Sequence, residues 1–393
     1  MKNLLYILLF SFLSFLFACD LERIETGVGN VTKFNTSFGG GENDFPLDVF
    51  ANADGTYFVA GSSQEITGQN SDAYLAKVNA NGVLIWENHY GTSDYDGARS
   101  LVPVSDGGVI ICGTSPDPGN SYPNIFIVKV NTSGSEVWRK TYGVADSAEF
   151  VAGIIPTGVS DYIVGYTSEF IFGSDNSKSI KFLRINANGA KVSNKLGASV
   201  DVSLNEMIKT ADNSIVVAGS MYITGTGTYS YIAKFTEAGN FIWDQVFPET
   251  GTGFTPAYGV VELADKSLVL AGSDLGGNDH DFLLVGYSEI GMKLNDVSWG
   301  GANADEALAI TLAQDGDIVV AGYSQSISAT SEVYISKRNK TTGAEIWVRH
   351  FDFGGGGATD IELCPDGGFV FCAAQLNNSD IILVKTDANG NYQ

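Results

Sequence analysis

The sequence predicts an all-β protein, a seven-bladed β-propeller with four antiparallel strands per blade, in which the N-terminal strand completes the last blade. Three observations carry this expectation. First, a segment reading aromatic strand, apolar strand, Asp-Gly turn, apolar strand, Gly, polar loop, strand and Asn-Gly turn occurs seven times. Its marker falls at Asp54, Asp106, Gly158, Asp212, Asp265, Asp315 and Asp366, in steps of 52, 52, 54, 53, 50 and 51 residues, a period typical of propellers and related arrays. Second, the Asp-Gly and Asn-Gly pairs supply the positive φ angles of tight hairpins, and the period-two apolar pattern excludes a stacked helical repeat. Third, the chain enters at Phe34 to Gly39, which matches the fourth strand of a blade (Trp86 to Gly91), and stops after a third strand and its Asn389-Gly390 turn. A first strand that completes the last sheet removes free edges and closes the ring.

The N-terminal segment stands outside the repeat. Lys2 gives a short basic start, and Leu4 to Phe17 is a 14-residue apolar run, short for a bilayer-spanning helix and suited to a signal-peptide core. It ends at Leu16-Phe17-Ala18-Cys19, which resembles the lipobox of bacterial lipoproteins. The resemblance implies a signal peptide over 1–18, cleavage before Cys19 and a lipid on that cysteine. Residues 20 to 30 are polar and aperiodic, so 19–30 is expected to be a flexible tether and 31–393 the propeller.

Within the second unit, Ala98 to Val104 reads as a short strand, Asp106-Gly107-Gly108 as a tight turn and Val109 to Gly113 as a strand apolar on both faces. A Pro-, Gly- and Ser-rich loop from Thr114 to Pro123 follows, then a third strand from Asn124 to Val130 and a fourth around Trp138 to Tyr142. Aromatics recur on the fourth strands, with Phe34, Trp86, Trp138, Trp243 and Trp347 in one slot, which Ser193 and Asn295 break. Rings at equivalent places suit the wedge-shaped gaps between blades. Basic residues recur on the third strands at Lys77, Lys129, Arg184, Lys234, Arg338 and Lys385, a stripe expected to pair with acidic neighbours and to protect strands from mispairing. Cys112 and Cys372 take a slot filled elsewhere by Ala60, Ala218, Ala271 and Ala321. They read as small buried hydrophobes, and no disulfide framework is expected.

Residues 31–393 resemble the seven-bladed propeller repeats common in extracellular lipoproteins of Bacteroidota, through Asp-Gly-Gly and Asn-x-x-Gly-x-x-x-Trp signatures such as Asn131-Thr132-Ser133-Gly134-Ser135-Glu136-Val137-Trp138. That tail, and Asn339 to Trp347, are also similar to quinoprotein-type propeller repeats, which often have eight blades where seven are counted here. The resemblance implies a fold and says little of activity.

With 45 acidic against 22 basic residues, a net charge of −23 argues against nucleic acid, which needs clustered Lys and Arg. It suits solubility outside the cell and, as a sharper alternative, attraction of a cation or a basic partner. Turns between first and second and between third and fourth strands hardly vary, whereas the loops between second and third strands do, and binding usually lives on variable loops over a rigid scaffold. Phe170 and Phe172 on one such loop, and Tyr222 and Tyr229 flanking the next, are expected in solvent. There they suit sugar or peptide contact and equally suit packing on a neighbouring loop. Blade-to-blade connections place Asp94, Asp96, Asp146, Asp305 and Glu306 on the same face, together with Asp44 and Asp360. Asp94-Tyr95-Asp96-Gly97 resembles a calcium loop without its remaining oxygen ligands, so strand capping is favoured over cation binding and no metal site is assigned.

No Gly-x-Ser-x-Gly elbow, His-Glu-x-x-His, phosphate loop or Cys-x-x-Cys occurs. His89 and His350 fall in the same slot of different blades, which holds them apart. The expectation is therefore a non-catalytic binding or scaffolding module, without cofactor, for a protein or glycan partner. It would be lipid-anchored in the cell envelope, on the periplasmic or surface side of the outer membrane. The alternatives are a carbohydrate-active or quinone-dependent enzyme and an outer-membrane protein assembly factor.

Overall fold

The computed structural model describes residues 32–39, 43–64, 70–116, 122–158, 160–171, 177–248, 253–275, 279–328, 330–374 and 380–392; Cys19, the expected signal peptide and tether, and Phe172 lie outside them. Seven antiparallel sheets follow one another along the chain. Blade 1 comprises Asp44–Ala51, Tyr57–Ser63, Asp72–Val78 and Leu84–Tyr90. The inner strands of blades 2 to 7 are Gly97–Pro103, Ser147–Thr157, Val202–Lys209, Ala257–Glu262, Asp305–Leu312 and Ala358–Leu363. In blade 7 the outer strand is the N-terminal Phe34–Phe38, paired with Ile381–Lys385 from Phe34↔Lys385 to Phe38↔Ile381, the interlock that the phase of the sequence predicts. The second strands are buried on both faces, and hydrophobic clusters lie between neighbouring sheets. One addition has no precursor in the repeat: Gly253–Phe254 pairs in parallel with Gly227–Phe235 of blade 4.

The recurring polar residues tie turns together. Asp106 accepts the Gly108 N–H and the Lys129 ammonium at 2.5 Å; Lys234 pairs with Asp212 at 2.9 Å and Lys385 with Asp366 at 2.9 Å. The basic stripe thus pins the turn in blades 2, 4 and 7, whereas Lys77 of blade 1 lies over the Phe58 ring and Gly286 takes the slot in blade 5. In blade 6 the slot belongs to Lys337, bonded to Asp315 at 2.5 Å, because the register sets Lys337 opposite Val319 as Lys129 stands opposite Ile110. Arg338, one residue on, instead lies buried over the Trp299 ring. In blade 3 the acid is Asp161, 3.0 Å from Arg184. The phase there slips by one: Ile154↔Val164 is the equivalent of Val49↔Val59, so Ile154, and not Gly153, fills the apolar slot.

The fourth-strand aromatics join blades. Trp86 Nε1 donates to the Thr132 carbonyl of blade 2 at 3.1 Å, and Trp243 Nε1 to the Glu289 carbonyl of blade 5 at 3.1 Å. Asn295, which breaks the aromatic pattern, keeps the same bond through Nδ2 to the Thr341 carbonyl at 3.2 Å.

Two β-bulges shape each regular blade. The inner strand bulges in all seven, with Leu47, Arg99, Ala152, Asn205, Tyr258, Leu308 and Thr359 as the extra residues. The outer strand bulges in blades 1 to 6, with Ile85, Val137, Val192, Ile242, Leu294 and Ile346 as the extra residues, and in blade 3 a second time at Gly197. Bulges bend and twist a strand, and blunt an exposed edge. The inner bulge also explains a repeated glycine: a Cβ on Gly113 or Gly322 would collide with the carbonyl of Gly97 or Glu306 on the bulged strand.

Candidate functional site

The seven inner-bulge residues all line one cavity of about 330 Å³ bounded by the inner strands. Around a repeated scaffold this ring is chemically mixed: two leucines, an alanine, an arginine, an asparagine, a tyrosine and a threonine. Arg99 Nη2 donates to the Asn205 carbonyl at 2.6 Å, crossing from blade 2 to blade 4. Tyr258 reaches outward to Glu306, which Tyr323 also bonds; burial holds both phenols above their ordinary range, with the Glu306 charge adding to it.

Beside this ring stand four carboxylates, Asp48, Glu206, Asp360 and Glu362. Three are bonded to the next blade: Asp48 accepts the Leu101 N–H at 2.6 Å, Asp360 the Val49 N–H at 2.8 Å and Glu206 the Val260 N–H at 3.0 Å. Each occupies the position after the bulge, where the inner strand would otherwise leave a neighbour's N–H without an acceptor. Burial and then the charge of Asp360 push Asp48 well above the usual carboxylate range, and Asp48 bonds Asp360 as the member that keeps the proton. Burial pushes Glu206 and Glu362 up to about 8, with Asp360 adding to both. The channel is therefore largely protonated at neutral pH, and its acids work first as inter-blade staples. Asp360 belongs to this channel, not to a surface connection.

The expected binding-face residues divide. Phe170 is 41 % exposed and Tyr222 is 55 % exposed, while Asp146 is exposed and Asp94 and Glu306 are half-buried. Tyr229, at 3 %, and Asp96 and Asp305, at 1 %, are buried. The reason lies in strand length: Ile215–Ile223 and Gly227–Phe235 run far beyond the expected loop boundaries, so Tyr229 pairs with Met221 inside the sheet. Tyr166 to Phe170 likewise belongs to the strand Asp161–Phe170, and Tyr166 is buried. Asp96 and Asp305 cap backbone instead, accepting the N–H groups of Thr92 and Gly301. The inner-bulge ring, which sequence reasoning missed, leaves only a weak signal: one variable position seven residues before the marker, or six in blade 3.

Cys112, Cys364 and Cys372 are free and buried. His89 and His350 occupy equivalent positions, packed on Tyr74 and Tyr334 with ring centroids 5.3 and 5.2 Å apart.

With this geometry in view, the chain is similar over residues 53–84 to a family described as "Domain of unknown function (DUF5122) beta-propeller". Among solved structures it resembles the Pan2 WD40 domain of Neurospora crassa, at TM-score 0.57 and 10 % identity, over 92 % of this chain and 99 % of that one. It also resembles Sqt1 from Chaetomium thermophilum, at TM-score 0.48 and 12 % identity, over 87 % and 82 %. No curated protein matches the chain. The Pan2 likeness supports a propeller fold.

Proposed function

We propose that this protein is a lipid-anchored, extracytoplasmic propeller that binds a protein or glycan partner without chemical turnover, held in the cell envelope through Cys19. One observation carries the reading. At the inner bulge, where every blade presents a residue to the central cavity, side chains vary from Leu to Arg to Tyr around a scaffold whose turns and aromatics repeat. Uniform positions build blades; a varied ring at the channel, under the exposed Phe170 and Tyr222, suits recognition.

The carboxylates favour binding over catalysis, because three of the four are committed to backbone N–H groups of the neighbouring blade. The quinone reading is weakened in the same way. Lys129, Lys234, Lys337 and Lys385 are held by turn acids, leaving Arg99 and Lys209 as the basic groups that line the cavity, the second 3.8 Å from Glu237. The experiment is a screen of the full chain against a glycan array and an envelope extract. Saturable binding that Arg99→Ala and Tyr258→Ala together weaken at least tenfold is expected. Sustained cleavage of a polysaccharide with no stable complex overturns the proposal.

A further inference from the structure

Two blade junctions are built from the same parts and differ in one. Between blades 1 and 2, Asp72 and Asp96 meet across Gly91, where a Cβ would collide with Asp72 Oδ1 and stand 2.8 Å from Asp96 Oδ2. A positive charge stands beside the pair: Arg139 Nη1 donates to the Gly91 carbonyl at 2.6 Å. Its guanidinium is held charged by Glu136 first, with Asp96 and Asp72 contributing.

Between blades 5 and 6 the parts recur as Asp281, Asp305 and Gly300. A Cβ on Gly300 would collide with Asp281 Oδ1 and stand 2.7 Å from Asp305 Oδ2. The guanidinium does not recur. Arg139 stands opposite Val128 directly after Trp138, and the residue opposite Ser336 directly after Trp347 is Val348.

What remains is a pair of carboxylates short of a cation. Asp305 is 1 % exposed; its Oδ2 accepts the Gly301 N–H and the Ser326 hydroxyl, both at 2.8 Å, but its Oδ1 has no hydrogen-bond partner, and neither has Asp281 Oδ1. Asp96 Oδ1 is equally without one, but it lies within the field of Arg139. Burial, Asp279, Asp305 and Asp274 in turn raise the Asp281 carboxyl, and the nearest base, His280, faces Glu306 with Nδ1 3.5 Å from Oε1. Buried carboxylate oxygens without a counter-charge are costly.

We propose that the junction of blades 5 and 6 is a calcium site between Asp281 and Asp305, its charged ligands, in which the ion supplies the positive charge that Arg139 brings to the first junction. A hard cation matches an all-oxygen donor set, and calcium tolerates the irregular geometry that magnesium does not. Among the described residues no three His, Cys, Asp or Glu side chains group to hold a metal, so main-chain carbonyls and water complete the shell. Two charged ligands place the affinity with that of extracellular modules, a Kd of about 10⁻⁴–10⁻³ M.

The test is calorimetric titration and thermal unfolding of the chelator-treated full chain. The expected result is one calcium bound per chain and a rise in Tm of about 2–4 °C at about 10 mM calcium. Val348→Arg, which installs the guanidinium of the first junction, abolishes the titration and the shift while leaving the calcium-free Tm equal or higher. Asp281→Asn removes the response as well and reads the same quantity should the arginine variant not fold. No calcium binding by the unaltered chain at about 10 mM, or binding that folded Val348→Arg and Asp281→Asn both retain, overturns the proposal.

Discussion

The inner and outer bulges of this propeller are the same backbone device put to opposite uses. At the bulge that recurs near the start of the outer strands the extra residue is aliphatic in all six blades that have one, Ile85, Val137, Val192, Ile242, Leu294 and Ile346, and each is exposed. On the inner strands the extra residue changes chemistry from blade to blade. A rule applied six times around a rim belongs to strand-edge protection. A position released from any rule, at the mouth of a shared cavity, belongs to whatever the cavity meets. In a repeat protein the informative residues are those that the repeat fails to predict.

The comparison breaks most visibly where the inner bulge itself is obstructed. Gly322→Ala drives a Cβ onto the Glu306 carbonyl and is expected to destabilise by about 3 kcal/mol, read as a lower denaturant midpoint with an unchanged slope. Smaller, and distributed over the channel, is the pH dependence. Glu206 and Glu362 titrate near 8 in the folded chain, above the ordinary 4.5, so folding holds protons that the unfolded chain has released. Their contribution to stability is complete below about pH 4.5 and is lost as pH rises through about 8. Glu206→Gln with Glu362→Gln flattens that slope in urea titrations at stepped pH.

Removing one staple costs less. Asp360→Ala leaves the Val49 N–H without its acceptor, a loss of about 1 kcal/mol, because relief of the charge on Asp48 offsets part of it. Smallest of all are the outer bulges: Ile85→Thr and Ile346→Thr are expected to stay within about 0.5 kcal/mol by denaturation and to leave partner binding unchanged. A larger effect there would assign the rim a role beyond edge protection.

Much of the architecture was legible because it is periodic: the Asp-Gly turns, the Lys stripe, the aromatic slot and the interlocked ends each recur or complete a recurrence. What escaped was what a one-residue offset hides. The bulges insert one residue without changing repeat length, so Arg99 and Tyr258 look like ordinary strand positions. The same offset moved the third blade's apolar slot from Gly153 to Ile154 and the sixth blade's basic slot from Arg338 to Lys337. Of the expected binding residues, Phe170, Tyr222 and Asp146 are exposed and Asp94 and Glu306 half-buried, whereas Tyr229, Asp96 and Asp305 are buried. Composition could not separate a loop carboxylate from one whose oxygens cap the backbone, nor locate strand ends in blade 4, where Ile223↔Gly227 extends the ladder into the expected loop.

The central claim is that recognition belongs to the varied inner ring and the loops above it, not to the uniform rim. Hydrogen exchange of the full chain, alone and with the strongest ligand from the glycan array or extract screen, tests this directly. Slowed exchange confined to the inner strands around Arg99, Asn205 and Tyr258 and to the segment around Tyr222 is the predicted result. Protection that follows Ile85, Val137, Ile242 and Ile346 around the rim, with the channel unchanged, would contradict it.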